Sequence, residues 1–200
     1  MSTNLEITNS SFLGFNALLT FGGVVYMQNS NLNVQGSTFA FNQANQGGVV
    51  YFGCSQCNCK FLNVSATYCS HNYTNCTFIF NSALIQGGCI AYDKYKPLTL
   101  ANSSFANNSA PYGPEVAGYP FGVKVVGYDN EGVASGQPYN GSIQVDVIDA
   151  GLQRITNDNT TNVVIDILSN NTSIAGKVQV QSVNGTAIFN QLTFTASPGS

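Results

Sequence analysis

The sequence predicts an all-β chain: a right-handed parallel β-helix over residues 1–116, followed by a small antiparallel β-sandwich over residues 117–200. Three observations carry this. The first part repeats itself at a regular spacing. Its polar surface is built from Asn, Ser, Thr, Gln and Gly, residues that disfavour helix interiors. The second part alternates apolar and polar residues between turn signals.

Four segments align without gaps: Leu5–Phe12, Leu32–Phe39, His71–Phe78 and Leu98–Phe105. Their template is apolar, any, apolar, any, any, Ser or Cys, Ser or Thr, Phe. From Phe to Phe the spacing is 27, 39 and 27, so the middle interval is one period plus a 12-residue insertion. Asn42, Asn81 and Asn108 follow their Phe at the third position, and Asn16 follows Phe12 at the fourth. Next come Gly22-Gly23-Val24-Val25-Tyr26, Gly47-Gly48-Val49-Val50-Tyr51 and Gly87-Gly88-Cys89-Ile90-Ala91. In the fourth copy the pair has become Tyr112-Gly113-Pro114, where the stack is expected to end.

Such a unit holds two or three short β-type runs and cannot bury its own apolar face. Stacking copies about 4.8 Å apart lets each backbone group pair with the copy above and below. Equivalent side chains then form ladders. Phe12, Phe39, Phe78 and Phe105 lie inside, beside the rows Leu5/Leu32/Leu98 and Ile7/Val34/Tyr73/Leu100. The row Asn42, Asn81, Asn108 is either an amide ladder or a set of turn residues tolerant of left-handed backbone. The Gly-Gly pair supplies a corner that no side chain would permit. An antiparallel sandwich is the alternative architecture, but like residues at like positions favour the stacked repeat.

The runs Phe39-Ala-Phe-Asn42, Phe78-Ile-Phe-Asn81 and Phe105-Ala-Asn-Asn108, the first two followed by Gly-Gly, resemble the paired repeats of polymorphic outer-membrane proteins. They are also similar to pectin-lyase-like β-helix repeats in large ciliate surface proteins. The resemblance covers about residues 1–116 and implies a β-helical segment displayed outside the cell, serving adhesion or surface coating. Val or Cys stands here where Ala is usual after Gly-Gly, and the cysteine-rich insertion is a departure.

From about Tyr119 the repeat gives way to alternating runs: Gly122–Val126, Ser142–Ile148, Asn162–Leu168, Gly176–Ser182 and Ala187–Phe194. Turn signals at Asp129–Gly132, Asp149–Gly151, Asn170-Asn171 and Asn184-Gly185 separate them. Five or six strands suit a small sandwich. The stretch Asn184–Phe194 resembles the next-to-last strand region of bacterial-type immunoglobulin-like modules, which implies a closing strand after Pro198-Gly199. That, with the abrupt first repeat, leads to the expectation of a piece of a longer chain.

Charged residues are only 8 % of the sequence, against about a quarter in ordinary domains. Lys60, Lys94 and Lys96 against Glu6 and Asp93 give residues 1–110 a net +1; residues 111–200 carry a net −4. No basic patch exists for nucleic acid. The apolar run Phe12–Met27 is preceded by Glu6 and interrupted by Asn16 and Thr20, which makes it one repeat rather than a leader or a membrane span.

Acceptors of the form Asn-X-Ser/Thr occur at Asn9, Asn63, Asn72, Asn75, Asn102, Asn107, Asn140, Asn159, Asn170, Asn171 and Asn184. Chance in an Asn-, Ser- and Thr-rich sequence produces some; their number favours a secreted, glycosylated surface. The six cysteines point the same way and are disulfide candidates: Cys54, Cys57, Cys59 and Cys69 in the insertion at about residues 53–70, Cys76 and Cys89 in the third repeat. Six cysteines allow 15 pairings. Cys89 equally reads as a buried thiol in a valine slot. A zinc site lacks its second close pair.

Catalysis finds little to work with. The carboxylates of residues 1–116 are Glu6, Asp93 and Glu115, each in a different repeat, with no arginine. His71 stands in a row otherwise filled by leucine and reads as a packed or loop-edge histidine. Asp129, Glu131, Asp146, Asp149 and Asp158 read as solvated turn carboxylates rather than calcium ligands, because no EF-hand spacing is present. The Thr positions do not stack as the flat Thr-x-Thr rows of ice-binding surfaces. No cofactor and no metal are expected.

The reading that follows is a non-enzymatic structural or adhesive segment of a larger, membrane-anchored protein, extracellular or at the cell surface. Its partners are other domains of the same chain, surface proteins or glycans, with no membrane span in residues 1–200. The alternative is a carbohydrate-binding or degenerate polysaccharide-active domain with Tyr26, Tyr51, Tyr92 and Tyr95 as a stacking platform; packing in the core or in a ladder is the competing role for those tyrosines.

Overall fold

The structure is a computed structural model that describes residues 4–54, 69–93, 96–97, 99–129, 132–169 and 171–196. The described residues form strands and turns and no helix: the chain is all-β. It divides into two compact units, Met1–Tyr119 and Pro120–Ser200.

In the first unit each repeat contributes strands in one order. The first repeat holds β1 (Asn4–Thr8), β2 (Ser11–Leu13), β3 (Asn16–Phe21) and β4 (Val25–Gln28). The second holds β5 (Asn31–Gln35), β6 (Thr38–Ala40), β7 (Gln43–Gln46) and β8 (Val50–Gly53). The third holds β9 (His71–Thr74), β10 (Thr77–Ile79), β11 (Ser82–Gln86) and β12 (Ile90–Tyr92), and the fourth β13 (Ser104–Ala106) and β14 (Val116–Gly118). Like strands pair in parallel, in the orders β1-β5-β9, β2-β6-β10-β13, β3-β7-β11 and β4-β8-β12-β14. Strand β14 pairs with β12, which carries the first unit to Tyr119, three residues past the boundary expected at 116.

The register is that of the sequence template. Phe12, Phe39, Phe78 and Phe105 pair in succession, and their rings stack 4.9–5.2 Å apart within 10° of parallel. Phe39 and Phe78 are fully buried, each adding about 2–3 kcal/mol. Leu5 pairs with Leu32 and Leu32 with His71; Ile7 pairs with Val34 and Val34 with Tyr73.

The asparagine row is an amide ladder. Asn42 Nδ2 donates to Asn81 Oδ1 at 3.0 Å, and Asn81 Nδ2 to Asn108 Oδ1 at 3.0 Å. None of the three has a left-handed backbone. That conformation belongs to the residue before each: Phe41 (φ 57°), Phe80 (φ 54°) and Asn107 (φ 53°), with Gly14 (φ 72°) in the first repeat. Asn16 is not part of the ladder. It pairs with Gln43, and Phe15 fills the slot, its N–H donating to Asn42 Oδ1 at 3.0 Å.

At the Gly-Gly corner the first glycine has positive φ in each repeat (Gly22, Gly47, Gly87, Gly113). The second lies against the next repeat: a Cβ on Gly48 would sit 2.2 Å from the Gly88 carbonyl oxygen. In the fourth repeat that second place is held by Pro114.

The second unit is antiparallel, with β15 (Gly122–Tyr128), β16 (Pro138–Tyr139), β17 (Ile143–Ile148), β18 (Asn162–Val164), β19 (Thr172–Gly176), β20 (Gln179–Gln181), β21 (Thr186–Phe189) and β22 (Leu192–Ala196). They form sheets β15-β17-β21, β16-β22-β19 and β18-β20. The run expected as one strand over Ala187–Phe194 is two. The chain turns at Gln191 (φ 61°), which places β21 and β22 in different sheets. Val145, Val147, Ile155, Ala187, Phe189 and Leu192 form the core.

Candidate functional site

The cysteines separate by place in the template. Cys54 and Cys69, at the two ends of the insertion, are each disulfide-bonded; Cys57 and Cys59 lie outside the described residues. Cys76 and Cys89, counted among the disulfide candidates, are buried free thiols. Each substitutes for a residue whose job it copies. In the turn before β2, β6 and β13, Ser10, Ser37 and Ser103 donate to the carbonyl two residues back, and Cys76 Sγ donates likewise to the Thr74 carbonyl at 3.3 Å. Cys89 follows Val24 and Val49 in its row. Burial pushes its thiol well up, partly offset by a hydrogen bond with Asn81.

His71 is fully buried, its ring stacked on Phe52 at 4.2 Å and Nδ1 within 3.1 Å of the Tyr73 hydroxyl. The carboxylates are spread along the chain, Asp146 within β17 and Asp93, Asp129, Asp149 and Asp158 outside the strands. Asp93 accepts from the Cys54 N–H at 2.7 Å, Asp129 from the Ser142 N–H at 3.1 Å, and Asp146 from the Thr186 hydroxyl at 2.7 Å. Asp149 and Asp158, expected in solvent, are buried instead. Asp149 accepts from the Gly151 and Gln153 N–H groups at 2.8 and 3.0 Å. Burial alone would raise the Asp158 carboxyl, but hydrogen bonds from Ser182, Thr161 and Thr160 outweigh it and hold the group low. Among the described residues no group of His, Cys, Asp and Glu could hold a metal ion. No helix among them is long and apolar enough to cross a membrane.

Of the proposed tyrosine platform, Tyr26 and Tyr51 stack at 5.6 Å and 12°. Tyr92 is buried, and Tyr95 lies outside the described residues. The sequence reading missed Phe21, whose ring stacks on Tyr51 at 4.8 Å. Phe21 is 39 % exposed and Tyr26 52 %. Burial, then the neighbouring Tyr119, pushes the Tyr51 phenol up. The Tyr119 hydroxyl also donates to Gln46 Oε1 at 2.7 Å, and Gln86 Nε2 reaches the same oxygen at 3.3 Å. Aligning on the Gly-Gly pair rather than on the Phe would have set Phe21 in the row of Gln46, Gln86 and Tyr112. A second exposed aromatic pair, Phe41 and Phe80, stacks at 5.1 Å.

Asn63 and Asn170 aside, the glycosylation candidates lie in described positions. Asn9, Asn75, Asn102, Asn107, Asn140, Asn159, Asn171 and Asn184 are exposed, and Asn72 is half-buried in β9. Asn9, Asn75, Asn102, Asn107 and Asn184 are left-handed turn residues.

No family model matches the chain, and no solved structure matches it. Over 123 residues it is 33 % identical to metabotropic glutamate receptor-like protein Q of Dictyostelium discoideum. The match takes in 56 % of this chain and 10 % of that protein.

Proposed function

We propose that this chain is a right-handed parallel β-helix followed by a small antiparallel β-sandwich, and that it serves as a non-enzymatic structural or adhesive segment of a larger extracellular or cell-surface protein. The observation that carries the reading is the set of four parallel sheets, each drawing like strands from successive repeats. That arrangement spends its chemistry on itself. The asparagine amides join repeat to repeat, Asp93 holds the Cys54 backbone, and His71 is stacked in the core. Disulfide-bonded Cys54 and Cys69 favour an oxidising compartment. Similarity to a tenth of a much longer receptor-like protein supports a module in a larger chain.

The test is surface labelling of intact cells that express the native protein, followed by thiol and glycan analysis of the labelled fraction. Recovery in that fraction with disulfides and sugar is expected. An unlabelled, sugar-free protein with six free thiols would overturn the reading.

A second reading is favoured by one observation, the exposed stack of Phe21 and Tyr26 on Tyr51 beside the Gln46 amide and Tyr119 hydroxyl. Parallel aromatic faces with amide and hydroxyl neighbours suit the apolar face and hydroxyls of a neutral sugar. A glycan array hit abolished by Tyr26→Ala would promote this role; a blank array would dismiss it.

A further inference from the structure

We infer that the left-handed corner occupied by Asn9, Asn75 and Asn102 is the glycan-bearing edge of the first unit, with sugar attached to the side-chain amide nitrogen. This rests on the extracellular placement proposed above.

The three residues are equivalent. Asn9 and Asn75 follow the first strand of their repeats and Asn102 follows the bridge from Thr99 to Asn72, with Gly36 in the same place in the second repeat, and φ runs 48°, 59°, 54° and 51° down the row. Asn9, Gly36 and Asn75 each donate their N–H to a carbonyl of the next repeat (Gln35, Thr74 and Ala101) at 2.9–3.0 Å. The next residue is Ser10, Ser37, Cys76 or Ser103, which closes the turn, and then comes Ser11, Thr38, Thr77 or Ser104 at the strand.

Fold requirements therefore explain the hydroxyl or thiol next to the corner, which closes the turn, and they explain Asn or Gly at the corner itself. They do not explain Asn over Gly, since Gly36-Ser37-Thr38 meets every requirement and carries no acceptor. The asparagines the fold does need, Asn42 and Asn81, use amide nitrogen and oxygen in the ladder and have no acceptor motif. Asn9, Asn75 and Asn102 are exposed, and among the described residues their amide nitrogens donate no hydrogen bond. Asn159, by contrast, has Nδ2 bonded to the Asn157 carbonyl and Oδ1 to the Asn184 N–H.

The reaction needs a polyprenyl-pyrophosphate oligosaccharide as donor. The amide nitrogen attacks C1 of the first sugar, the N–C1 bond forms, and the C1–O bond breaks. The polyprenyl pyrophosphate leaves with the bonding pair, and the nitrogen gives up one proton.

Spacing limits the load. Asn75 and Asn102 lie in adjacent repeats, about 4.8 Å apart, whereas Gly36 puts Asn9 about 10 Å from Asn75. A branched glycan on Asn75 crowds one on Asn102, while Asn9 has room.

The full chain, sent into the secretory pathway of eukaryotic cells with an added leader, is deglycosylated in isotopic water and its acceptors are read by mass spectrometry. Asn9 should be occupied, and Asn75 and Asn102 should share one glycan. Asn75→Gly, which keeps the corner as Gly36 does, should raise Asn102 occupancy about twofold if the two compete within one strand spacing. Thr77→Ala should do the same without touching the turn. A secreted, folded chain with this row bare, or one carrying sugar on both Asn75 and Asn102 as its main form, would overturn the inference. Native protein free of sugar, despite an occupied row in this experiment, would overturn the extracellular placement instead.

Discussion

Asn42 and Asn81, 39 residues apart in sequence, are joined side chain to side chain: the Asn42 amide nitrogen donates to Asn81 Oδ1 at 3.0 Å, with both residues fully buried. Asn81 Oδ1 also accepts the Asn42 N–H, and its nitrogen reaches the Phe39 carbonyl at 3.0 Å. Removing this side chain strands several buried groups at once. Asn81→Ala should cost roughly 4 kcal/mol, because each orphaned group costs about 1–3 kcal/mol and the costs overlap. Asn108, half-buried at the end of the ladder, should cost about half as much when changed to Ala. Urea unfolding of the two variants checks the order, and equal losses would mean that the ladder is not the main contributor.

The Gly-Gly corner gives a second prediction. A Cβ at Gly48 meets two backbone oxygens, of Gly88 at 2.2 Å and of Ser82 at 2.5 Å. Neither can move aside without parting the second repeat from the third. Gly48→Ala should therefore destabilise by more than about 3 kcal/mol, beyond the usual range for single changes. Pro114→Ala, at the equivalent place in the fourth repeat, should stay within about 1 kcal/mol. Thermal melts of the two variants decide it.

Much of this was legible in the sequence because the fold stacks like on like. The Phe and Asn rows align at fixed positions, and Cys76 and Cys89 announce themselves as replacements for Ser and Val. What escaped lies where the period slips. Between the paired alanines and the glycine corner the first repeat carries Leu18–Thr20 and the third Leu84-Ile85, where the second has Asn45 alone. These bulges carry no turn signal, so Phe21 was not seen to share a row with Gln46. In the first repeat Asn16 drew attention away from Phe15, the true occupant of the ladder slot. The corner at Gln191 was hidden for the same reason, since glutamine is not a residue that marks a left-handed turn.

Phe41 and Phe80 carry a conformation that bulky side chains avoid. Left-handed backbone costs about 1–2 kcal/mol at each, while the stack between them returns about 0.5–1.5 kcal/mol. Either Phe→Asn change alone, copying Asn107, should be near neutral, since strain relief and the lost stack nearly cancel. The double variant loses the stack once and is relieved twice, so it should be more stable than the parent by about 1 kcal/mol. A double-mutant cycle read by denaturant midpoints tests this; strictly additive single changes would show that the rings do not interact.

Alkaline pH should find Cys89. Burial raises its thiol, and likewise the Tyr73 and Tyr51 phenols. An unfolded thiol ionises near pH 8.5, and above that pH the unfolded chain has released a proton that the folded chain keeps. The stabilisation is whole below that point and falls as pH rises, by about 1.4 kcal/mol per pH unit for one group, with the tyrosines joining from about pH 10. Cys89→Val restores the residue of Val24 and Val49 and should change stability at pH 7 by no more than about 1 kcal/mol. Between about pH 8.5 and 10 it should flatten the decline by one proton's worth. Urea midpoints against pH, compared for parent and variant, measure that difference. Identical slopes would place the alkaline sensitivity elsewhere in the fold.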